Sequence, residues 1–163
     1  MRRASNRRGA AVLASVVLAA VTALTSPGCC GEPPEARLRR AIEDGRVAAM
    51  AKSFDRLGRL VSECYSDSDG RDRADLLGLV RGYLTHLDPA HLFYKEQSLR
   101  LTAPGRAEVT LLVALASVPL ESIADLERIS ADLGRVELEF EEESGDWKLV
   151  RARWSSVSLT DWF

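Results

Sequence analysis

A change in hydrophobic periodicity at Asp88-Pro89 constrains the fold of this 163-residue chain more than any other feature. Before this point, apolar residues recur every three or four positions, as they do on one face of an amphipathic helix. After it, apolar and polar residues tend to alternate, as they do in strands with one buried face. The sequence therefore predicts an α+β domain in which N-terminal helices pack on a strongly curved antiparallel sheet.

The helical part begins at Pro34-Glu35, because proline and an acidic residue both suit the first turn of a helix. An interruption at Asp44-Gly45 indicates two helices or one kinked helix, ending near Tyr65. A loop over residues 66–71 follows, and Asp72 with Asp75 has the spacing of a capping box that opens the next helix. The apolar stripes are Leu38, Ile42, Met50, Phe54, Leu57, Val61 and Tyr65, then Leu76, Leu77, Val80, Tyr83, Leu84 and Leu87.

The strand part has two predicted hairpins. Strands are expected over residues 92–101 and 107–118 around a turn, and over 135–143 and 147–159 around Ser144-Gly145-Asp146. The intervening residues 119–134 favour either a short helix or a long ordered loop. Between residues 137 and 143, glutamates face one side of the strand, and we expect Lys148, Arg151 and Arg153 to pair with them across the hairpin.

The N-terminus has the three regions of a secretory signal peptide over residues 1–28. Four arginines within Met1 to Arg8 precede an apolar run from Ala10 to Leu24, which is shorter than the roughly 20 residues that span a bilayer. An uncleaved anchor helix is the alternative. We expect residues 29–34 to form a tether and residues 35–163 to form one domain.

Gly28-Cys29, after the apolar run, resembles the cleavage box of bacterial lipoproteins. The resemblance implies a lipid anchor of the palmitate type on Cys29 and a periplasmic, membrane-tethered domain. Because Cys30, and not aspartate, follows the modified position, it also implies the outer membrane. Ser26 and Pro27 depart from the usual residues of this box. Cys30 and Cys64 are then left over, with a disulfide between them as one open possibility.

Charge and motifs exclude several classes of function. The chain has 22 basic and 24 acidic residues, but four of the arginines and none of the acids lie in the leader, so the exported part is clearly acidic. A nucleic-acid partner is therefore not expected. No dinucleotide, phosphate-loop, nucleophile-elbow or zinc-protease motif occurs, and no cofactor is expected. The acidic loop 66–71 fails the calcium-loop frame, because Tyr65 and Leu76 fall on ligand positions, so no metal is expected.

The sequence from Phe140 to Trp154, with Gly145-Asp146-Trp147-Lys148-Leu149-Val150 at its centre, resembles the C-terminal hairpin of the nuclear transport factor 2-like (NTF2-like) superfamily, including its SnoaL-like group. The resemblance implies a cone-shaped fold with a pocket between helices and sheet. We expect the pocket residues to be Tyr94, Leu111, Val113, Leu115, Trp147 and Trp154, although Trp147 and Trp154 also fit the core or a sheet face.

Three functions remain open at this stage. The first is a non-enzymatic domain that binds a small apolar ligand or a protein partner. The second is a SnoaL-like enzyme, an isomerase, cyclase or dehydratase, with His86, Asp88 or His91 transferring a proton. The third is a structural homodimer, since the superfamily often pairs its sheets and Trp162-Phe163 offers an apolar tail. Against the enzyme, Asp88-Pro89 is a common helix stop and both histidines fit a solvated helix end.

Overall fold

Within the described residues, three helices precede the sheet. The computed structural model describes residues 31–119 and 131–162. Helix α1 spans Pro34–Met50, α2 spans Phe54–Leu60 and α3 spans Arg73–Thr85. The predicted capping box is confirmed, because the backbone amide of Asp75 donates to Asp72 Oδ1 at 2.9 Å while that of Asp72 donates to Asp75 Oδ2 at 3.3 Å.

The predicted interruption at Asp44-Gly45 is wrong. Helix α1 continues through both residues and ends at Met50, and the chain turns at Lys52, which has a positive φ of 49°. A Cβ built on Gly45 would lie 3.6 Å from Leu60 Cδ1, an ordinary van der Waals contact, so the packing of α2 on α1 does not require glycine here. Glycine within a helix costs about 1 kcal/mol relative to alanine, and tertiary packing offsets a cost of that size.

The second helix ends five residues earlier than predicted. Val61 forms a parallel bridge with Leu149, and the backbone amides of Ser62 and Ser66 donate to the carbonyls of Leu149 and Val150 at 2.9 and 3.1 Å. The chain after α2 therefore runs extended along the last strand of the sheet. This pairing covers an edge that would otherwise expose unpaired backbone groups.

Four antiparallel strands form a sheet in chain order, with β1 at His91–Ala103, β2 at Arg106–Ala116, β3 at Asp132–Glu143 and β4 at Asp146–Ser156. Register shifts at Glu96/Ser98, Leu101/Ala103 and Glu139/Phe140 mark irregularities of the kind that increase local twist. The predicted α+β class is confirmed. Of the helix or loop predicted over residues 119–134, residues 120–130 lie outside the described residues. Strand β3 begins at Asp132, three residues before its predicted start.

The two faces of the sheet bury different clusters. On the inner face, Val109, Leu111, Phe140 and Trp147 pack with Leu38 of α1. On the outer face, Leu112 and Ala114 are covered by Trp162. The last strand ends at Ser156, not at residue 159, and the C-terminal residues Leu159–Trp162 form a 3-10 helix.

Two further predictions about burial are wrong. Trp162, expected in an exposed tail, has 1% of its surface exposed because it folds back onto the sheet; Phe163 lies outside the described residues. Tyr83, expected on the buried stripe of α3, is 48% exposed because it lies at the flank of that stripe, and its hydroxyl bonds Asp132 of β3. Among the described residues, no helix is both long enough and apolar enough to cross a bilayer.

Candidate functional site

The inner face of the sheet is filled by side chains where the sequence predicts a pocket. Leu111, Leu115 and Trp147 are 5%, 9% and 4% exposed and contact other core residues. The indole Nε1 of Trp147 donates to the carbonyl of Pro34 at 3.2 Å, which fixes the start of α1 against β4. These three side chains form the packed interior of the domain.

Tyr94 and Val113 pack against the same interior from the side of β1 and β2. The Tyr94 hydroxyl donates to Glu43 Oε2 at 3.4 Å, and Glu43 also accepts hydrogen bonds from Arg46 Nε and Nη2, the shortest at 2.6 Å. Burial and the neighbouring Glu43 raise the pKa of Tyr94, while the hydrogen bond from Arg46 lowers that of Glu43. A carboxylate held in this way is a poor general base, because its charged form is stabilised.

Trp154 differs from the other predicted pocket residues because 41% of its surface is exposed. It lies opposite Val136 in the register of β3 and β4. The guanidinium of Arg71 stacks on its ring, with the guanidinium carbon 4.5 Å from the ring centroid. This side chain is a solvent-accessible aromatic surface with a cation on one side.

The three candidate proton-transfer residues have separate environments. His86 caps the C-terminus of α3, and its Nδ1 lies 2.6 Å from the carbonyl of Gly82, so Nδ1 must carry a proton in that bond. Asp88 is 86% exposed and pairs with Lys52 at 3.2 Å. His91 is the first residue of β1 and lies opposite Ala116. Among the described contacts, no hydrogen bond joins any two of the three.

Two open grooves lie away from the interior. One, of about 320 Å³, runs between α1, α2 and the hairpin of β3 and β4. The other, of about 310 Å³, lies on the outer face of the sheet. Charged side chains line both: Arg37, Arg40, Asp44, Arg59, Asp146 and Lys148 in the first, and Arg100, Glu108, Glu137, Glu139, Arg151 and Arg153 in the second.

Comparison with solved structures identifies the architecture. An NTF2-like protein of unknown function from Shewanella oneidensis aligns with a TM-score of 0.59 and 12% identity, over 76% of this chain and 100% of that one. A Streptomyces avermitilis protein of the NTF2-like family, provisionally described as a dehydratase, aligns with a TM-score of 0.59 and 15% identity, over 76% and 95%. The domain has the NTF2-like fold.

Another structure with this fold belongs to a longer protein. A Bdellovibrio bacteriovorus protein aligns with a TM-score of 0.59 and 13% identity over 74% of this chain, which spans only 40% of that protein. No family model matches the sequence, and neither does any curated protein. At these identities the likeness concerns the fold alone.

The outer face of this NTF2-like sheet carries cross-strand ion pairs. Glu139 pairs with Arg151 at 3.4 Å and Glu137 with Arg153 at 3.3 Å, which confirms the predicted pairing for these arginines. Lys148 differs, since its Nζ donates to the carbonyl of Arg59 at 2.6 Å. Pairs of this kind are exposed and contribute little to stability individually.

The acidic loop between α2 and α3 is more ordered than the solvated loop that the sequence predicts. The Asp67 side chain is 1% exposed. Its Oδ1 accepts hydrogen bonds from the backbone amides of Asp69 and Arg71 at 2.9 and 3.0 Å, and its Oδ2 accepts one from Arg71 Nε at 2.8 Å.

Within residues 31–119 and 131–162, no group of three potential ligands could hold a metal ion. Cys64 is exposed, and its pairing with Cys30, which lies outside the described residues, stays a prediction.

Proposed function

We propose that this protein is an exported envelope lipoprotein whose NTF2-like domain binds a partner without catalysis. The observation that carries the proposal is the packed interior: Leu38, Leu111 and Trp147 fill the space in which a member of this fold would hold a substrate. Binding sites of small apolar ligands are concave and mostly apolar. Both grooves described above are lined by charged side chains, so we favour a protein partner over a small apolar ligand.

Native mass spectrometry tests the preference for a protein partner. The full chain is extracted gently in mild detergent from the producing cell. We expect no reproducible small-molecule adduct. A constant extra mass of small-molecule size would contradict the choice of a protein partner and would identify the ligand to assay. The same spectrum reports the number of subunits, and so also tests the homodimer.

The rival function is a SnoaL-like proton-transfer enzyme. The dehydratase description of the Streptomyces avermitilis structure supports it, as do His86 and Asp88, which are two positions apart in the chain and both exposed. Simultaneous replacement of His86, Asp88 and His91 by alanine, in a deletion strain, separates the two proposals. If the domain binds a partner without catalysis, the triple variant should complement the deletion fully. A control variant with alanine at three other exposed positions, Asp55, Arg56 and Glu63, should do the same. Failure of the first variant alone would favour the enzyme.

We propose that residues 1–28 are removed and that Cys29 carries the lipid. Support comes from Gly28-Cys29 after the apolar run and from the four residues between Cys29 and the first residue of α1. Several acyl chains on one residue anchor far more stably than a single chain. Labelled palmitate should enter the wild type and Cys30→Ser equally. Its incorporation into Cys29→Ser would exclude this site.

The outer membrane is the proposed destination of the anchored domain, because Cys30 follows the modified residue. Fractionation on a density gradient tests it: the wild type should sediment with outer-membrane markers, and Cys30→Asp with inner-membrane markers. Cys30→Ser is the matched control and should follow the wild type. Wild-type protein in the inner-membrane fraction would contradict this destination.

A further inference from the structure

We propose that the groove between α1, α2 and the hairpin of β3 and β4, which we term the hairpin groove, binds an extended acidic segment of a protein partner. The inference rests on the proposed function and names the chemistry of that partner. Residues 29–163 contain more acids than bases, yet bases outnumber acids in the lining of this groove. Its charged lining consists of Arg37, Arg40, Arg59 and Lys148 with Asp44 and Asp146.

Helix α1 contributes two of the four cations from one face. Arg37, Arg40 and Asp44 are spaced by three and then four residues, so they are neighbours on the helix surface. Arg37 Nη1 donates to the carbonyl of Gly145 at 2.8 Å and to Glu142 Oε1 at 2.9 Å. These two bonds hold the guanidinium of Arg37 beside the turn of the hairpin.

The other two cations have weak or no acidic partners. Lys148 Nζ donates to the carbonyl of Arg59 at 2.6 Å, and its described carboxylate partner, Asp146, is 3.9 Å away and 79% exposed. The exposed guanidinium of Arg59 has no carboxylate partner among the described ion pairs. A neutral carbonyl fixes a cation without cancelling its charge, so both positions can pair with an incoming carboxylate.

The groove on the outer face lacks this property. Each of its three arginines already pairs with a glutamate of the same groove: Arg100 with Glu108, Arg151 with Glu139 and Arg153 with Glu137. An incoming anion there would have to displace a carboxylate from every cation. Electrostatic complementarity to an acidic partner is therefore specific to the hairpin groove.

The arrangement of the cations favours an extended peptide over a single phosphate. A phosphate is bound best by donors that converge on it, but the four cations come from three elements, and Gly145 and Arg59 hold different ones. Successive side chains of an extended segment point in opposite directions, so neighbouring carboxylates can reach cations of different elements. The volume of about 320 Å³ suits a short stretch of chain, and Ala41, Leu60 and Trp147 offer apolar contacts.

The test uses fluorescence anisotropy of a labelled hexaglutamate peptide titrated with the full chain in mild detergent. We expect saturable binding that weakens with salt. Arg40→Glu combined with Arg59→Glu should weaken it about tenfold or more, since both side chains are exposed and line the groove. The matched control, Arg100→Glu with Arg153→Glu, changes the net charge equally on the outer face and should bind like the wild type.

Three outcomes of this titration overturn the proposal. The first is no saturable binding of hexaglutamate by the wild type. The second is equal weakening by the two double variants, which would reduce the effect to net charge. The third is displacement of the labelled peptide by glycerol 3-phosphate at a lower concentration than by unlabelled hexaglutamate, which would assign the groove to phosphate groups such as those of lipids.

A variant that strengthens binding keeps the test decisive if the charge reversals do not unfold cooperatively. Asp44 is an exposed acid of the groove lining, so Asp44→Asn should tighten hexaglutamate binding about twofold. Asp55→Asn removes an exposed acid outside the lining and should leave binding unchanged. Equal affinities of these two variants overturn the proposal.

Complementation of the deletion strain separates this inference from the proposed function. We expect Arg40→Glu with Arg59→Glu to fail and the outer-face control to complement fully. Full complementation by the groove variant overturns the hairpin groove as the partner site. Binding without catalysis is tested separately, by the alanine variant of His86, Asp88 and His91.

Discussion

The guanidinium of Arg71 lies between the buried carboxylate of Asp67 and the exposed ring of Trp154. Its Nε donates to Asp67 Oδ2 at 2.8 Å, and its carbon lies 4.5 Å from the centroid of the Trp154 ring. Arg71 thus connects the loop between α2 and α3 to the last strand. This single side chain orders a loop that is otherwise rich in acidic residues.

We expect Arg71→Leu to lower the free energy of unfolding more than Trp154→Leu does. The tryptophan variant loses mainly the cation–π contact, worth about 0.5–1 kcal/mol at an exposed site. The arginine variant loses the same contact and also leaves Asp67 without its cation. Urea denaturation measures both values. If the two variants lowered the free energy of unfolding equally, Arg71 would contribute nothing to holding Asp67.

Asp67 should make the domain sensitive to acid. Burial alone would raise the pKa of this carboxyl, but the backbone amide and guanidinium of Arg71 outweigh burial and lower it below its ordinary 3.8. Because the pKa is lower in the folded than in the unfolded chain, the resulting stability is present above pH 3.8 and is lost as pH falls through the folded value.

The control for acid sensitivity is Asp67→Asn, which cannot titrate. It should be less stable than the wild type at neutral pH, and the difference should narrow as pH falls below 3.8. Thermal unfolding measured over a series of pH values gives the stability of the wild type and of Asp67→Asn at each pH. A constant difference over that range would exclude Asp67 as a source of acid sensitivity.

Tyr83 should titrate at unusually high pH. Its partial burial, and then its hydrogen bond to Asp132, raise the pKa of the phenol to about 12. Since the unfolded phenol titrates near 10, the folded state holds the proton more tightly, and this stability is present below pH 10 and is lost toward pH 12. Phenolate absorbance during an alkaline titration measures the pKa of Tyr83, and Tyr83→Phe serves as the blank.

The link between Tyr83 and Asp132 can be isolated with a second variant. Asp132→Asn keeps the shape of the side chain but removes its charge, so we expect the phenol of Tyr83 to titrate at lower pH than in the wild type. An unchanged titration in Asp132→Asn would show that burial alone raises the pKa. The half-exposed position of Tyr83 means that water screens any gain in stability.

The tryptophans of β4 should differ sharply in their effect on stability. Trp147→Ala leaves a cavity among Leu38 and Leu111 and removes the hydrogen bond to the Pro34 carbonyl, so a loss of about 3–5 kcal/mol is expected. Trp154→Ala should cost much less, since 41% of its surface is already in water. Chemical denaturation compares the two. Similar losses would contradict the packed interior on which the proposed function depends.

The local features of this fold were predictable because they depend on near neighbours in the chain. The capping box of Asp72 and Asp75 needs only four consecutive residues, and both hairpin turns are marked by glycine with a positive φ, at Gly105 and Gly145. The alternation from Val136 to Phe140 likewise predicted both the strand and the side that carries glutamates. Each of these follows from backbone geometry and side-chain period.

The candidate site was predicted less well, because burial depends on what packs from elsewhere. Leu111, Leu115 and Trp147 lie on the inner face, but their periodicity cannot reveal that the helices fill the space above them. Glu43 accepts the hydrogen bond of the Tyr94 hydroxyl, and Arg46 pairs with Glu43. In the sequence these two residues indicate only an ordinary helical ion pair.

The sequence by itself determined the order of helices and strands, the turns and the inner face of the sheet, since a 3.6- or 2-residue period and turn chemistry are local properties. Only the tertiary structure decided that Val61 to Ser66 pairs with the edge of β4 and that Trp162 covers Leu112. Both contacts join segments that are distant in the chain, so no local hydrophobic period predicts them. Their energy comes from backbone pairing and apolar burial that exist only after the sheet has formed.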